Sequence, residues 1–280
     1  MIQMKNMKII KESLLSLDGL LRGTLGCPIK KLLLSHIINK NNFKKFPIYI
    51  ISYNRLDYLS QTIEWLEKNG YTNIVIIDNK STYKPLLDYY KTCKFKIAFM
   101  KKNWGHNVFY KAPRFFIKSR FTFHILTDPD LLPVDECPSD FVEVFTRVMM
   151  TYPDVSKVGF SLKINDLPDE YYLKDEVLRW ESKFYSCPID NELFSCKLYN
   201  ANIDTTFAVN SPLFLRPFRN KYKGIRTGFP YQARHLPWYN ISLSDEERNY
   251  IKTIRKDVSN WNGNITKEQM NKRIEKHSKN

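Results

Sequence analysis

The sequence of 280 residues lacks any apolar run that approaches the roughly 18 residues needed to cross a bilayer. It also shows no secretion signal at its N-terminus, because lysine and polar residues interrupt the apolar stretches there. Its five cysteines are scattered, none in CxxC spacing, and their number is odd. A disulfide framework and a structural zinc site are therefore disfavoured, and we expect a cytoplasmic protein with reduced thiols.

Motifs of nucleic-acid recognition are absent as well, since we find no helix-turn-helix, zinc finger or RNP-like aromatic motif. The formal net charge is nevertheless +15. A balance this basic favours an anionic partner, and without nucleic-acid motifs the candidates are a membrane surface and a negatively charged substrate. A surface of lysines that only keeps the protein soluble explains the charge equally well.

The first 45 residues form a basic segment with two apolar stretches, which predicts helices. The leucines between positions 14 and 21 can form one stripe, and residues 32–38 form a second apolar stretch between lysines. We favour an amphipathic helix packed on the main domain. The alternative is a helix on an anionic membrane, which would make the protein peripheral at the inner membrane face.

An alternation of short apolar runs and helical patterns begins at residue 46. Strands are predicted at 48–52, 73–77, 96–100 and 121–126, with helices between them and after the last. This alternation predicts a parallel sheet with helices on both faces. A further strand is predicted at 158–164, beyond which regularity fades. We expect residues 46–150 and 151–243 to be two halves of one domain, followed by a helical tail over 244–280.

Four polar residues follow the first four predicted strands: Tyr53, Asp78, Asn103 and Asp128. The carboxyl ends of parallel strands share one edge of a sheet, so these residues should converge there.

Asp128-Pro129-Asp130 is the sharpest local feature of the sequence. Two carboxylates one residue apart, just after a buried strand, can bind one hard cation, and Mg²⁺ and Mn²⁺ prefer carboxylate and phosphate oxygens. The alternative is an ordinary turn, because Asp and Pro are common turn formers.

The residues at these strand ends also carry a resemblance. In order and spacing, SYNR at 52–55, DNKST at 78–82, NWG at 103–105 and TDPD at 127–130 resemble the family 2-type glycosyltransferases of the GT-A fold. The resemblance covers residues 46–150 and is thinner beyond. It implies a Rossmann-like α/β domain whose central, mainly parallel sheet is flanked by helices, with an irregular C-terminal acceptor region.

The resemblance further implies roles for individual residues. Tyr53 and Arg55 would line the nucleotide pocket, and Asp78 would hydrogen-bond the base or ribose. Asn103 would form a turn near the sugar nucleotide, and Asp128 would reach the ribose or the metal. An aromatic ring that stacks on a base and a carboxylate that accepts from ribose hydroxyls are physically reasonable partners.

The same resemblance implies a metal site at Asp130, with a C-terminal histidine as a further ligand. His235 is one of only five histidines and would fill that role, with Mn²⁺ or Mg²⁺ as the metal. A structural or exposed histidine is the alternative. Its neighbour Arg234 could contact the diphosphate in a bidentate manner.

An inverting transfer needs a general base that deprotonates the acceptor hydroxyl. Asp204 is the leading candidate because it lies beyond the DxD motif, and Asp190 and Glu181 are the alternatives. A loop-orienting role for Asp204 remains equally open.

The sequence therefore predicts a metal-dependent glycosyltransferase. Its donor would be a nucleotide-sugar, for which we expect a UDP-sugar, and its acceptor a glycan such as a surface polysaccharide or a lipid-linked saccharide. A sugar-nucleotide nucleotidyltransferase is one alternative, but it would normally carry a glycine-rich phosphate loop where residues 52–56 read SYNRL. A non-enzymatic nucleotide- or glycan-binding protein is the other, and it would not need the acidic and histidine residues.

Overall fold

The computed structural model describes residues 26–40, 43–203, 207–212, 224–240, 242 and 244–254. The strands in these ranges are β1 (Ile48–Ser52), β2 (Ile74–Asp78), β3 (Lys96–Phe99), β4 (His124–Thr127), β5 (Leu131–Pro133), β6 (Lys157–Leu162), β7 (Pro188–Ile189), β8 (Leu198–Asn200), β9 (Ala208–Asn210) and β10 (Ile225–His235). The α-helices are α1 (Gly26–Asn39), α2 (Asp57–Lys68), α3 (Lys84–Thr92), α4 (Val108–Lys111), α5 (Pro113–Phe121), α6 (Phe141–Thr151), α7 (Lys174–Glu181) and α8 (Asp245–Thr253).

The strands form one mixed sheet in the order β3-β2-β1-β4-β9-β6-β10-β8-β7, with β5 paired to β10. Strands β3, β2, β1 and β4 are parallel, as are β6 and β10, whereas the other pairings are antiparallel. The α/β class is confirmed, but a mainly parallel arrangement holds only for the first half. Parallel neighbours need long crossovers, and the βα alternation that supplies them ends after β6.

Helices cover both faces of the parallel half. Ile48 and Ile50 of β1 join a large core with α2, α3 and α6, whereas Tyr49 and Ile51 point to a smaller core with α4 and α5. The strand alternates between two apolar environments because successive side chains point to opposite faces. Strands β6, β9 and β10 continue the same sheet, so residues after 150 belong to the domain that begins at β1.

Helix α1 packs on the domain, mainly against α6. Leu34 is fully buried in the large core, and the buried Lys30 side chain donates hydrogen bonds to the backbone oxygens of Pro153 (3.0 Å) and Val155. This part of the N-terminal segment is a packed helix, as favoured above. The leucines at 14–21 lie outside the described residues. Among the helices that the structure describes, none has the length and hydropathy to cross a membrane.

Candidate functional site

The Asp128-Pro129-Asp130 turn follows β4 and is held by bonds to its backbone. The hydroxyl of Thr62 in α2 donates to the carbonyl of Pro129 at 2.7 Å, and the amide of Leu236 donates to the carbonyl of Asp130 at 2.9 Å. The chain then continues as β5, whose antiparallel pairing places Leu131 opposite His235 of β10. The turn geometry is therefore set by residues about 70 positions before and 100 positions after it.

Asp130 is buried between two basic side chains. Its Oδ2 atom lies 2.5 Å from Arg55 Nη1 and 3.5 Å from His235 Nε2. Burial by itself would raise the pKa of this carboxyl, but His235 and Arg55 outweigh that effect and lower the pKa to about 2. Asp130 is therefore ionised over the whole physiological range, as a cation ligand has to be.

Arg55 is held in place by the C-terminal helix α8. Its Nη2 donates to Glu247 Oε2 at 3.0 Å, and its Nε lies 2.9 Å from Glu247 Oε1. The guanidinium carbon lies 3.5 Å from the centre of the Tyr250 ring, a close cation–π contact. The buried charge of Arg55 thus has two carboxylate partners, Asp130 and Glu247, that are distant in sequence.

Further bonds attach α8 to the end of β1. The Glu246 carboxylate accepts from the backbone amides of Leu56 (2.7 Å) and Asp57 (3.0 Å), and so satisfies free N–H groups at the start of α2. The Tyr53 hydroxyl donates to the carbonyl of Thr253 at 2.9 Å. The side-chain amide of Asn54 donates to the hydroxyl of Thr253 at 2.8 Å. Helix α8 therefore forms one wall of the space at the sheet edge.

Asn79 organises the turn at residues 103–105. Its Nδ2 donates to the carbonyl of Gly105 at 3.1 Å, and its Oδ1 accepts from the amide of Trp104 at 2.8 Å. Asn103 closes the turn, because its Oδ1 accepts from the amide of Gly105 at 2.8 Å. Gly105 has a φ of 59°, which glycine adopts without strain. An aspartate at position 79 could not donate the first of these bonds.

A cleft opens where these elements meet, at the carboxyl ends of β1, β2, β3 and β4. Five of the residues predicted for the site line it: Tyr53, Arg55, Asn103, Asp128 and Asp130. Asn79, Gly105, His106 and Tyr250 are further lining residues. Of the four residues expected to converge from the strand-end pattern, Tyr53, Asn103 and Asp128 line the cleft and Asp78 does not.

Two of the predicted donor-binding residues are engaged in other contacts. The Asp78 carboxylate is buried and accepts from Tyr90 Oη at 3.2 Å and from the backbone amide of Ser81 at 3.0 Å. Arg234 pairs with Asp166 at 2.9 Å and with Asp135 at 3.3 Å, and it is not among the cleft residues. Asp78 thus holds the loop at Ser81, and Arg234 is held by two carboxylates away from the cleft lining.

The candidates for the general base are not assembled at the cleft in the described part of the chain. Asp204 lies outside the described residues. Glu181 is buried and forms an ion pair with Arg226 at 3.2 Å. Asp190 is exposed just after β7, at the far edge of the sheet from β3.

Three site residues were missed by the sequence analysis: Glu246, Glu247 and Tyr250. A helical tail was predicted from residue 244, and Ser244 Oγ does cap α8 by accepting from the Glu247 amide at 3.2 Å. The Glu247 side chain, however, pairs with Arg55, 192 positions away. A local pattern cannot reveal such a partner.

A scan of the sequence against protein-family models finds no match. The chain is 22% identical over 259 residues to an uncharacterized protein of Acanthamoeba polyphaga mimivirus. The match covers 81% of this chain and 50% of the viral protein, so the chain spans about half the length of that relative. The name of this relative states no activity, so the function has to be inferred from the site.

Proposed function

We propose that this chain is a metal-dependent glycosyltransferase of the GT-A type that uses a nucleotide-sugar, with UDP-sugars as the first donors to test and a glycan or glycolipid as acceptor. The observation that carries the proposal is the cleft at the carboxyl ends of the parallel strands. It brings together Tyr53, Asn103, Asp128 and Asp130 from three separate strand ends. Ligands of α/β sheets bind at that edge, and each motif of the family resemblance contributes to it.

The metal is part of the proposal, and the residues present fit it. Asp130 Oδ2 and His235 Nε2 are 3.5 Å apart. Two ligands at about 2.1 Å from one cation, with an angle of roughly 110° between them, have about this separation. No set of three His, Cys, Asp or Glu side chains within the described residues forms a metal site by itself. A cation here would need further oxygens, and Mg²⁺ commonly takes them from substrate phosphates.

Arg55 is compatible with such a cation because of Glu247. The guanidinium contacts Asp130 and also has two contacts with Glu247, so a cation bound at Asp130 would still leave Arg55 with a carboxylate partner. When bound, the metal would neutralise the diphosphate leaving group. Arg55 would remain a buried positive charge beside Asp130 that lowers the pKa of this carboxyl and keeps it ionised.

Tyr53 and Tyr250 offer aromatic surface for the base at the α8 wall of the cleft. The Asn103 turn and the exposed His106 also line the cleft, and we place the sugar beside them. Asp204 stays our candidate for the base that takes the proton of the acceptor hydroxyl in an inverting transfer.

The nucleotidyltransferase alternative receives less support. Its phosphate loop would present free backbone amides after β1. Here the amide of Asn54 donates to Ser81 Oγ at 3.0 Å, and those of Leu56 and Asp57 donate to Glu246.

The test is calorimetric binding of UDP, GDP and CMP with Mn²⁺ or EDTA, followed by release of nucleotide from the matching sugar donors. We expect Mn²⁺-dependent binding, and we expect Asp130→Ala and His235→Ala to weaken it at least tenfold, the lower end of effects seen at metal sites. Asp135→Ala removes an exposed carboxylate nearby and should leave binding intact.

UDP affinity that is equal with Mn²⁺ and EDTA and unchanged in both variants would overturn the metal assignment. Failure of all three nucleotides to bind would overturn the transferase itself.

A further inference from the structure

Residues 89–127 carry an unusual charge pattern. This stretch contains no Asp or Glu and nine basic residues: Lys91, Lys94, Lys96, Lys101, Lys102, Lys111, Arg114, Lys118 and Arg120. It includes β3, which forms one edge of the sheet, and the helices α4 and α5 beside it. A region with cations and no anions attracts polyanionic surfaces.

The cations gather around a groove between the edge strand and the two helices, which we call the basic groove. Five of them line it: Lys96, Lys101, Lys102, Lys111 and Arg114. Its remaining walls are apolar, with Trp104 among them, and the Lys102 ammonium lies 4.9 Å from the centre of the Trp104 ring.

Helix α5 extends the basic groove with an exposed mixed stripe. Arg114, Ile117, Lys118 and Phe121 follow the spacing i, i+3, i+4 and i+7, so they share one face. Ile117 is 58% and Phe121 67% exposed. The helix is anchored by Phe115, which is buried in the smaller core.

Phe99 of the edge strand is also exposed, at 63%. We call the basic groove, this stripe and Phe99 together the basic–apolar face.

The charges of this face are uncompensated within the described residues. No carboxylate there lies within ion-pair distance of Lys96, Lys101, Lys102 or Lys118. The neighbouring lysines behave differently, since Lys91 pairs with Asp88 at 2.6 Å and Lys94 pairs with Glu67. The positive charge of the face is therefore available to an external anion.

We propose that the basic–apolar face binds the surface of an anionic membrane. Exposed Phe99, Ile117 and Phe121 would enter the headgroup region, while the surrounding cations contact lipid phosphates, the combination that holds basic amphipathic elements on membranes. A single-stranded nucleic acid would use the same cations and could stack bases on Phe99 and Phe121, but the exposed aliphatic Ile117, on the same helix face as Phe121, suits insertion into lipid and gives no stacking surface. The observations therefore favour a lipid surface.

Docking in this way would bring the candidate cleft to the membrane. Trp104 lines the basic groove, whereas its neighbours Asn103 and Gly105 line the cleft. The membrane contact itself does not depend on the proposed sugar transfer, because it is measured by binding alone.

The experiment is sedimentation of the full chain with vesicles of phosphatidylglycerol and phosphatidylcholine in equal parts, and with phosphatidylcholine vesicles alone. We expect binding to the anionic vesicles at low salt and its loss at high salt. The triple variant Lys101→Gln, Lys102→Gln, Lys118→Gln should bind about 100-fold more weakly, because each cation near an anionic surface contributes about fivefold. Ile117→Ser with Phe121→Ser should also weaken binding, since it removes the inserted side chains.

The matched control removes three exposed lysines from other elements: Lys40→Gln, Lys68→Gln, Lys197→Gln. Leu193→Ser, at a residue 75% exposed near the opposite sheet edge, is the control for the apolar substitutions. Both should bind like the wild type. All substituted side chains are exposed, and thermal unfolding of each variant would show that its fold is intact.

Three results would overturn the proposal. The first is that the wild type does not bind anionic vesicles at low salt. The second is that both lysine triple variants weaken binding equally, because binding would then depend on net charge alone. The third is salt-sensitive binding of a single-stranded RNA that the first triple weakens, without binding to vesicles, because the face would then recognise nucleic acid.

Discussion

Removal of the Glu247 charge should destabilise the protein measurably. Glu247→Gln keeps the shape of the side chain but leaves the buried Arg55 with Asp130 as its only carboxylate partner among the residues that the structure describes. Loss of a buried ion pair without compensation costs about 3–5 kcal/mol, whereas a hydrogen bond to a charged group contributes about 1.5–3 kcal/mol. Asp130 still compensates Arg55, and the glutamine can still accept one bond. We therefore expect a loss of about 2 kcal/mol.

The assay is equilibrium unfolding in urea, with a thermal scan in parallel. For a chain of this size a loss of about 2 kcal/mol should lower the melting temperature by about 4 °C. The matched control is Glu143→Gln, whose partner Arg147 is half-exposed one turn along the same helix. Such surface pairs contribute about 0.5 kcal/mol or less. If Glu247→Gln costs no more than Glu143→Gln, the Arg55–Glu247 pair does not hold α8 in place.

Two further substitutions test the walls of the cleft. Burial raises the pKa of Glu246 from 4.5 to about 6, outweighing the bond from Leu56. Its stabilising contribution is therefore full below about pH 4.5 and lost as the pH rises through about 6. Unfolding of wild type and Glu246→Gln should show their stability difference fall by about 1 kcal/mol over that interval, after allowance for solvent screening, and parallel pH profiles would contradict this. Asn79→Asp loses the bond to Gly105 and should cost about 2 kcal/mol, measured by urea unfolding. Asn73→Asp, whose amide donates to Lys45 at the surface, is its control, and equal losses would refute the role of Asn79.

The strands of the parallel half could be predicted because each is a local pattern. The run at 48–52 coincides with β1, and the predicted strand at 96–100 ends one residue beyond β3. Their polar ends then converge for a topological reason, which is why much of the cleft was predictable. Boundaries were less certain: the strand predicted at 121–126 is β4 at His124–Thr127, because the chain up to Phe121 belongs to α5.

The remainder of the site depends on pairings between distant segments, which local periodicity does not encode. The antiparallel pairing of β5 with β10 places His235 beside Asp130. This pairing could not be predicted, because β5 has only three residues and no crossover helix connects it to β10. Arg234 shows the same limit, because its charge suggested a phosphate contact while Asp166 and Asp135 satisfy it. Which acid meets which base is decided by tertiary packing.

The position of α8 in the chain affects the order in which the cleft can be completed. Ribosomes make proteins from the N-terminus, so Arg55 and Asp130 leave the ribosome well before Glu247. Until the last of these is synthesised, Arg55 lacks one counter-ion and the start of α2 lacks the carboxylate of Glu246. A nascent chain that ends before residue 245 has the strand ends of the cleft but lacks the wall that α8 forms. The cleft can therefore be completed only after α8 has been translated.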